Sequence, residues 1–135
     1  MSVRSSILSK IETALEGITG VGDVFVGKYE QADLEQLTLP ALFVLQGSDQ
    51  ESPNEEFGDE VFEWDILVET WCKDTDAETV FAAIHTKMAA DHTLGGNAIQ
   101  SRRTGSMVLS LDPGRGIIAM QQMFKITYSH PNGQP

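Results

Sequence analysis

One cysteine, Cys72, stands in 135 residues, so no intrachain disulfide can form. That pattern predicts folding in a reducing compartment. Long apolar runs are also missing. The longest, Leu39 to Leu45, is interrupted by Pro40, whereas a membrane-spanning helix needs about 20 apolar residues. Behind Met1-Ser2-Val3-Arg4 there is no apolar stretch of the kind a signal peptide carries, which predicts a chain made and folded in a cytoplasm. Basic residues are scarce: nine Lys and Arg against twenty Asp and Glu leave a net charge of −11. A nucleic-acid binder that works through phosphates needs the opposite balance.

Reactive constellations are lacking too. His85, His92 and His130 fall into no HxxxH, HExxH or HxH spacing, and Asp91-His92 has no third ligand placed by sequence. There is no GxSxG, P-loop or GxGxxG. Gly95-Gly96 and Gly114-Arg115-Gly116 are too short to cradle a phosphate and read as turns. Residues 49–60 lack the alternating Asp/Asn spacing and central Gly of a calcium loop. A lone cysteine at the end of a buried strand reads as a small core residue rather than a nucleophile. The sequence therefore predicts no enzyme, no metal and no cofactor.

What is present is a core-forming pattern. The length argues for one domain, spanning 1–130, with a polar tail at 131–135. Val3, Ile7, Leu8, Ile11, Ala14, Leu15 and Ile18 form an amphipathic helical stripe over 3–18, with Ser2 as its N-cap and Gly17 and Gly20 ending it. Val24 to Tyr29 is a short strand. Pro40 opens a second strand, Ala41 to Gln46, apolar on both faces. A long acidic loop is expected over 47–60. Val61 to Cys72 alternates: Phe62, Trp64, Ile66 and Val68 point one way, while Glu63, Asp65, Leu67, Glu69 and Trp71 point the other.

A second helix starts near Asp74 or Thr75, where Thr75 and Glu78 stand at capping-box spacing. Its stripe is Ala77, Val80, Phe81, Ile84 and Met88. Ala98 to Leu111 and Gly116 to His130 are two closing strands, joined by the turn Asp112 to Gly116. The order α-β-β-β-α-β-β predicts an α+β two-layer sandwich: two helices on one face of a mixed, mostly antiparallel sheet of about five strands. Its other face would be bare, and Leu67 and Trp71 on it invite a neighbouring subunit.

The acidic surplus is concentrated. Residues 29–72 hold twelve acids and no base, and the rest of the chain nets +1. Glu51, Glu55 and Glu56 lie in the expected acidic loop. Arg102 and Arg103 are the only adjacent bases, with Arg115 across the hairpin, which suggests a surface complementary to the acidic patch of a second copy.

The stretches "VRSSILSKIETALEGI", "LTLPALFVLQGSDQE", "VFEWDILVETWCKDTD", "AETVFAAIHTKMAADHTLGG" and the closing "FKITYSH" follow one another in an order that resembles the tail terminator proteins of long-tailed bacteriophages, the minor tail protein U type, and related tail-completion proteins. The resemblance covers roughly 3–130. It implies a structural virion protein, assembled in the host cytoplasm, that forms a homohexameric ring on the tail tube, stops its polymerisation and offers a docking surface to the head and neck. The implied partners are its own copies, the tube protein and the neck connector, with DNA passing through the lumen unbound. On that reading Glu63, Asp65 and Glu69 would face the lumen, and the 47–60 loop would order on assembly. A head–tail connector of the neck is the neighbouring alternative. A small ligand-binding or enzymatic α+β domain is the alternative from another class and would need a pocket with convergent polar groups.

Overall fold

The computed structural model describes residues 3–27, 38–51 and 59–131. Helix α1 is Val3–Glu16, and strands β1 and β2 are Val24–Val26 and Ala41–Glu51. Strand β3 is Asp59–Lys73. A single 3-10 turn, Asp74–Asp76, leads into helix α2, Ala77–Ala90. Strand β4, Gln100–Asp112, and strand β5, Ile117–Pro131, form a hairpin closed by a 3-10 turn at Pro113–Arg115. The fold is α+β, and among the described residues it has two helices and one five-stranded mixed sheet in the order β1-β2-β3-β5-β4. Among the described strands only the β1–β2 pair is parallel. The other three pairs are antiparallel.

Each element follows from its spacing. Ile7, Ile11 and Leu15 of α1 recur every four residues and are fully buried. Val80, Ile84 and Met88 do the same for α2. Both stripes pack on one face of the sheet, against Trp64, Ile66 and Val68 of β3 and Met120, Phe124 and Ile126 of β5. β3 and β5, the two longest strands, are paired without interruption from Asp59–Pro131 to Lys73–Ile117 and lie side by side at the centre. After α1, Gly17 N–H donates to the Thr13 and Ala14 carbonyls, and Gly20 turns the chain away at φ 91°.

Two sequence expectations change. The acidic loop expected over 47–60 is shorter, because β2 continues to Glu51 and β3 begins at Asp59. Beyond a register shift at Gly47 and Ser48, the backbone of Asp49 to Glu51 pairs again with Phe62 to Trp64 of β3 despite its polar composition. The capping box of Thr75 and Glu78 does not form. The 3-10 turn places Asp76 at the N-cap of α2, with no side-chain capping bond. Ser2 and the tail 132–135 lie outside the described residues.

Candidate functional site

The face of the sheet opposite the helices carries a second, smaller core. Ala41, Phe43, Trp71 and Ala119 are buried there, flanked by Leu39 and Leu45. Phe43 stacks on Phe25 at 5.4 Å between ring centroids and meets Trp71 at 4.8 Å. Strand alternation places Glu63, Asp65, Leu67, Glu69 and Trp71 on this face, as the sequence predicts.

Their roles differ. Glu69 is only 4% exposed; its carboxylate accepts from Trp71 Nε1 at 2.7 Å and from Gln121 Nε2 at 2.6 Å. Expected as a lumen acid, it is instead spent inside the chain, because a carboxylate out of water needs donors. Trp71, expected to be open to a partner, is 7% exposed and belongs to the small core. Glu63 and Asp65 stay partly exposed. Lys125 Nζ lies 3.6 Å from Glu63 Oε2, and Ser48 Oγ donates to Asp65 at 3.5 Å. Leu67 is half-buried and floors a shallow groove of about 180 Å³, walled by Gly105, Met107, Gln121 and Met123.

The three arginines do not form one surface. Arg102 stands beside Lys125 and Arg103 beside Phe124, on opposite faces of the sheet. The Arg103 guanidinium lies 5.0 Å over the Phe81 ring on the helix side. Arg115 sits at the far end of the hairpin, on the order of 30 Å away at about 3.3 Å per residue, with its Nε 2.9 Å from Asp112 Oδ2. The Glu51 side chain and residues Glu55 and Glu56 lie outside the described residues. Strand β2 does bring position 51 to the same end of the sheet as Arg102 and Arg103.

Two features were not legible as sites. The first is β4 itself. It forms one margin of the sheet, and every residue from Arg102 to Leu111 is exposed. Met107 is 55% exposed, Val108 61% and Leu109 44%, an apolar run on an edge thirteen residues long. The opposite margin, β1, is three residues long.

The second is a hollow of about 360 Å³ between the end of α2 and the start of β4. It is lined by His85, Met88, Ala89, His92, Ser101, Arg102, Arg103 and Phe124. Ser101 is buried and its hydroxyl has no hydrogen-bond partner. The residues come from α2, the loop after it, β4 and β5, a convergence that linear spacing cannot reveal. Among the described residues no three of His, Cys, Asp and Glu cluster as metal ligands. No helix among them is long and apolar enough to cross a membrane.

No family model matches the chain, and no curated protein sequence matches it. Among solved structures it is similar to a chain in the virion of a native gene transfer agent particle, with a TM-score of 0.44 at 10% identity, covering 96% of this chain and 92% of that one. At that score and identity the likeness carries no statement about what this chain does.

Proposed function

We propose that this chain is a structural virion protein of a phage-like particle: a tail terminator that forms a homohexameric ring on the tail tube, ends its polymerisation and presents a docking surface to the head and neck. The observation that carries the reading is the exposed thirteen-residue margin β4 with Met107, Val108 and Leu109 turned to solvent. An isolated chain gains nothing from such an edge, whereas an assembly unit buries it. Ring formation needs two different surfaces on each copy, and the two margins of this sheet are different. Glu63 and Asp65 on the open face suit a wall past which DNA slides, since like charges repel phosphates. The protein transforms no molecule and holds no cofactor in this role. Its partners are its own copies, the tube protein and the neck connector. It is assembled in the host cytoplasm and resides in the virion.

The test has two arms. Light scattering and negative-stain images of the purified protein are expected to show six-fold rings of six 14.8 kDa chains. Removing the protein from its particle is expected to give overlong or headless tails. Tails of normal length that fail only in DNA delivery would assign the chain to the neck connector instead. A monomer with a small molecule seated in the His85–Arg103 hollow would favour a ligand-binding domain.

A further inference from the structure

We infer that the hollow between the end of α2 and the start of β4 is a binding site for a small monocarboxylic acid with an apolar body. The site lies within one chain and stands apart from the ring reading. Ser101 carries the inference. It lines the hollow, is only 7% exposed, and its hydroxyl has no hydrogen-bond partner. A buried hydroxyl left unpaired costs free energy, and one that borders an open space is satisfied by what enters that space. Water can fill that place, but the rest of the lining favours an anion.

Strand alternation sets Arg103 on the same face of β4 as Ser101. The Arg103 guanidinium is held 5.0 Å over the Phe81 ring and makes no ion pair among the described residues. His85 of α2 and His92 of the following loop add imidazole N–H donors. Among the described residues no Asp or Glu lines the hollow. Asp91, the neighbour of His92 in the chain, is engaged in its own loop, where its Oδ1 accepts from the Gly95 N–H at 3.1 Å.

Magnitudes of charge decide the class of ligand. α2 ends beside the hollow, and its carbonyl end presents about half a negative charge, which the full charge of Arg103 outweighs. The whole chain carries −11, so a ligand with one negative charge is opposed less than phosphate with nearly two. A carboxylate has about four acceptor positions, which Ser101, His85, His92 and the Arg103 fork can meet. Beneath them Met88 and Phe124, 2% and 1% exposed, form an apolar floor that suits the body of the acid. A volume of about 360 Å³ falls within the range of small-molecule sites, about 300–1,000 Å³.

The experiment is a titration followed by ligand-observed NMR at constant ionic strength, with circular dichroism confirming the fold of each variant. Sodium benzoate is expected to bind saturably with a dissociation constant of about 1 mM. Benzamide keeps the body without the charge, and acetate keeps the charge without the body. Both, and inorganic phosphate, are expected to bind at least about tenfold more weakly. Arg103→Gln is expected to weaken benzoate at least about tenfold and Ser101→Ala about threefold. His85→Gln and His92→Gln are expected to act in the same direction. Arg103 is exposed, so its variant covers the case that a change at buried Ser101 disturbs the strand. Benzamide or phosphate binding as tightly as benzoate would overturn the carboxylate assignment. No saturable binding of benzoate in the millimolar range, or an affinity unchanged in every variant, would overturn the site. Light scattering on the same samples keeps the two readings apart. Benzoate bound to a chain that forms rings supports the site and leaves the ring reading standing, whereas benzoate bound to a chain that stays monomeric supports the site and counts against the ring.

Discussion

Trp71 donates its indole N–H to the carboxylate of Glu69, two residues away on the same face of β3, and Gln121 of β5 donates to the other oxygen of that carboxylate. The acid is thereby built into the sheet, beneath the Phe43–Trp71 contact. Glu69→Ala would take away the acceptor of the Trp71 and Gln121 donors, the loss of a buried hydrogen-bond partner costing about 1–3 kcal/mol. The variant is expected to unfold at a lower urea midpoint with an unchanged slope, and its native tryptophan emission to shift to the red. Glu69→Gln keeps one acceptor and is expected to lose roughly half as much. A Glu69→Ala protein as stable as the parent would mean that the network contributes nothing.

Cys72, next to last in β3, is fully buried, and burial first, then the nearby Asp76 and Asp74 carboxylates, push its thiol from 9.0 to about 11. Native protein at pH 8 is expected to resist an alkylating reagent and to react stoichiometrically in denaturant. A thiol whose pKa is raised by folding contributes stability that is complete below pH 9 and is lost as the pH climbs through about 11. Stability is expected to fall over that window by about 1–3 kcal/mol, since each tenfold change in the thiol's ionisation constant corresponds to about 1.4 kcal/mol. Burial also raises the Tyr128 phenol above 10.0, which adds a loss in the same direction as the pH rises past 10. Cys72→Ala is expected to flatten the pH 9–11 slope; an equal slope in both proteins would assign the loss to other groups.

The turn that closes the β4–β5 hairpin separates two glycines by what their backbone needs. Gly116 sits at φ 70°, in the left-handed region that a side chain strains, and its N–H donates to the Pro113 carbonyl. Gly116→Ala is expected to cost about 1–2 kcal/mol. Gly105, on the exposed margin, has nothing within 4 Å of where a Cβ would stand. Gly105→Ala is expected to be neutral, or to stabilise by up to about 1 kcal/mol through the unfolded chain's lost freedom. Thermal melts of the two variants check the contrast.

What the sequence disclosed follows from periodicity. Isoleucines four residues apart at Ile7 and Ile11, and alternation from Phe62 to Val68, are local signals, and they placed both helices on one face of a five-stranded sheet. Polar strand ends carry no such signal. Asp49-Gln50-Glu51 reads as a loop, yet its backbone pairs with Phe62 to Trp64 of β3 beyond a register shift that only the partner strand determines. Long-range partners were equally invisible. Glu69 and Gln121 are 52 residues apart, so an exposed acid and a buried one look alike in the alternation. The Arg102–Arg103 pair misled for a physical reason, since adjacent residues of a strand face opposite sides. The hollow beside Ser101 is assembled from α2, the loop after it, β4 and β5 and has no linear signature.

Two sets of apolar side chains separate folding from assembly. Ile11 and Ile84 are fully buried in the helix-side core, where truncation to alanine leaves a cavity in packed surroundings. Each is expected to cost about 2–5 kcal/mol in the isolated chain, a large share of the roughly 5–15 kcal/mol that holds a domain of this kind folded. Val108 and Leu109 contribute little to that core, because they face solvent on the outer margin of β4. Val108→Ser and Leu109→Ser are expected to change the free chain's stability by no more than about 0.5 kcal/mol, measured by urea titration at a concentration low enough to keep it monomeric. Titrated again at high concentration, the parent chain is expected to gain stability from self-association while the serine variants gain less, since an interface adds free energy only to chains that can form it. Serine variants that gain as much as the parent would show that β4 stays in solvent in the assembly. Variants already destabilised at low concentration would place these side chains in the fold rather than at its margin.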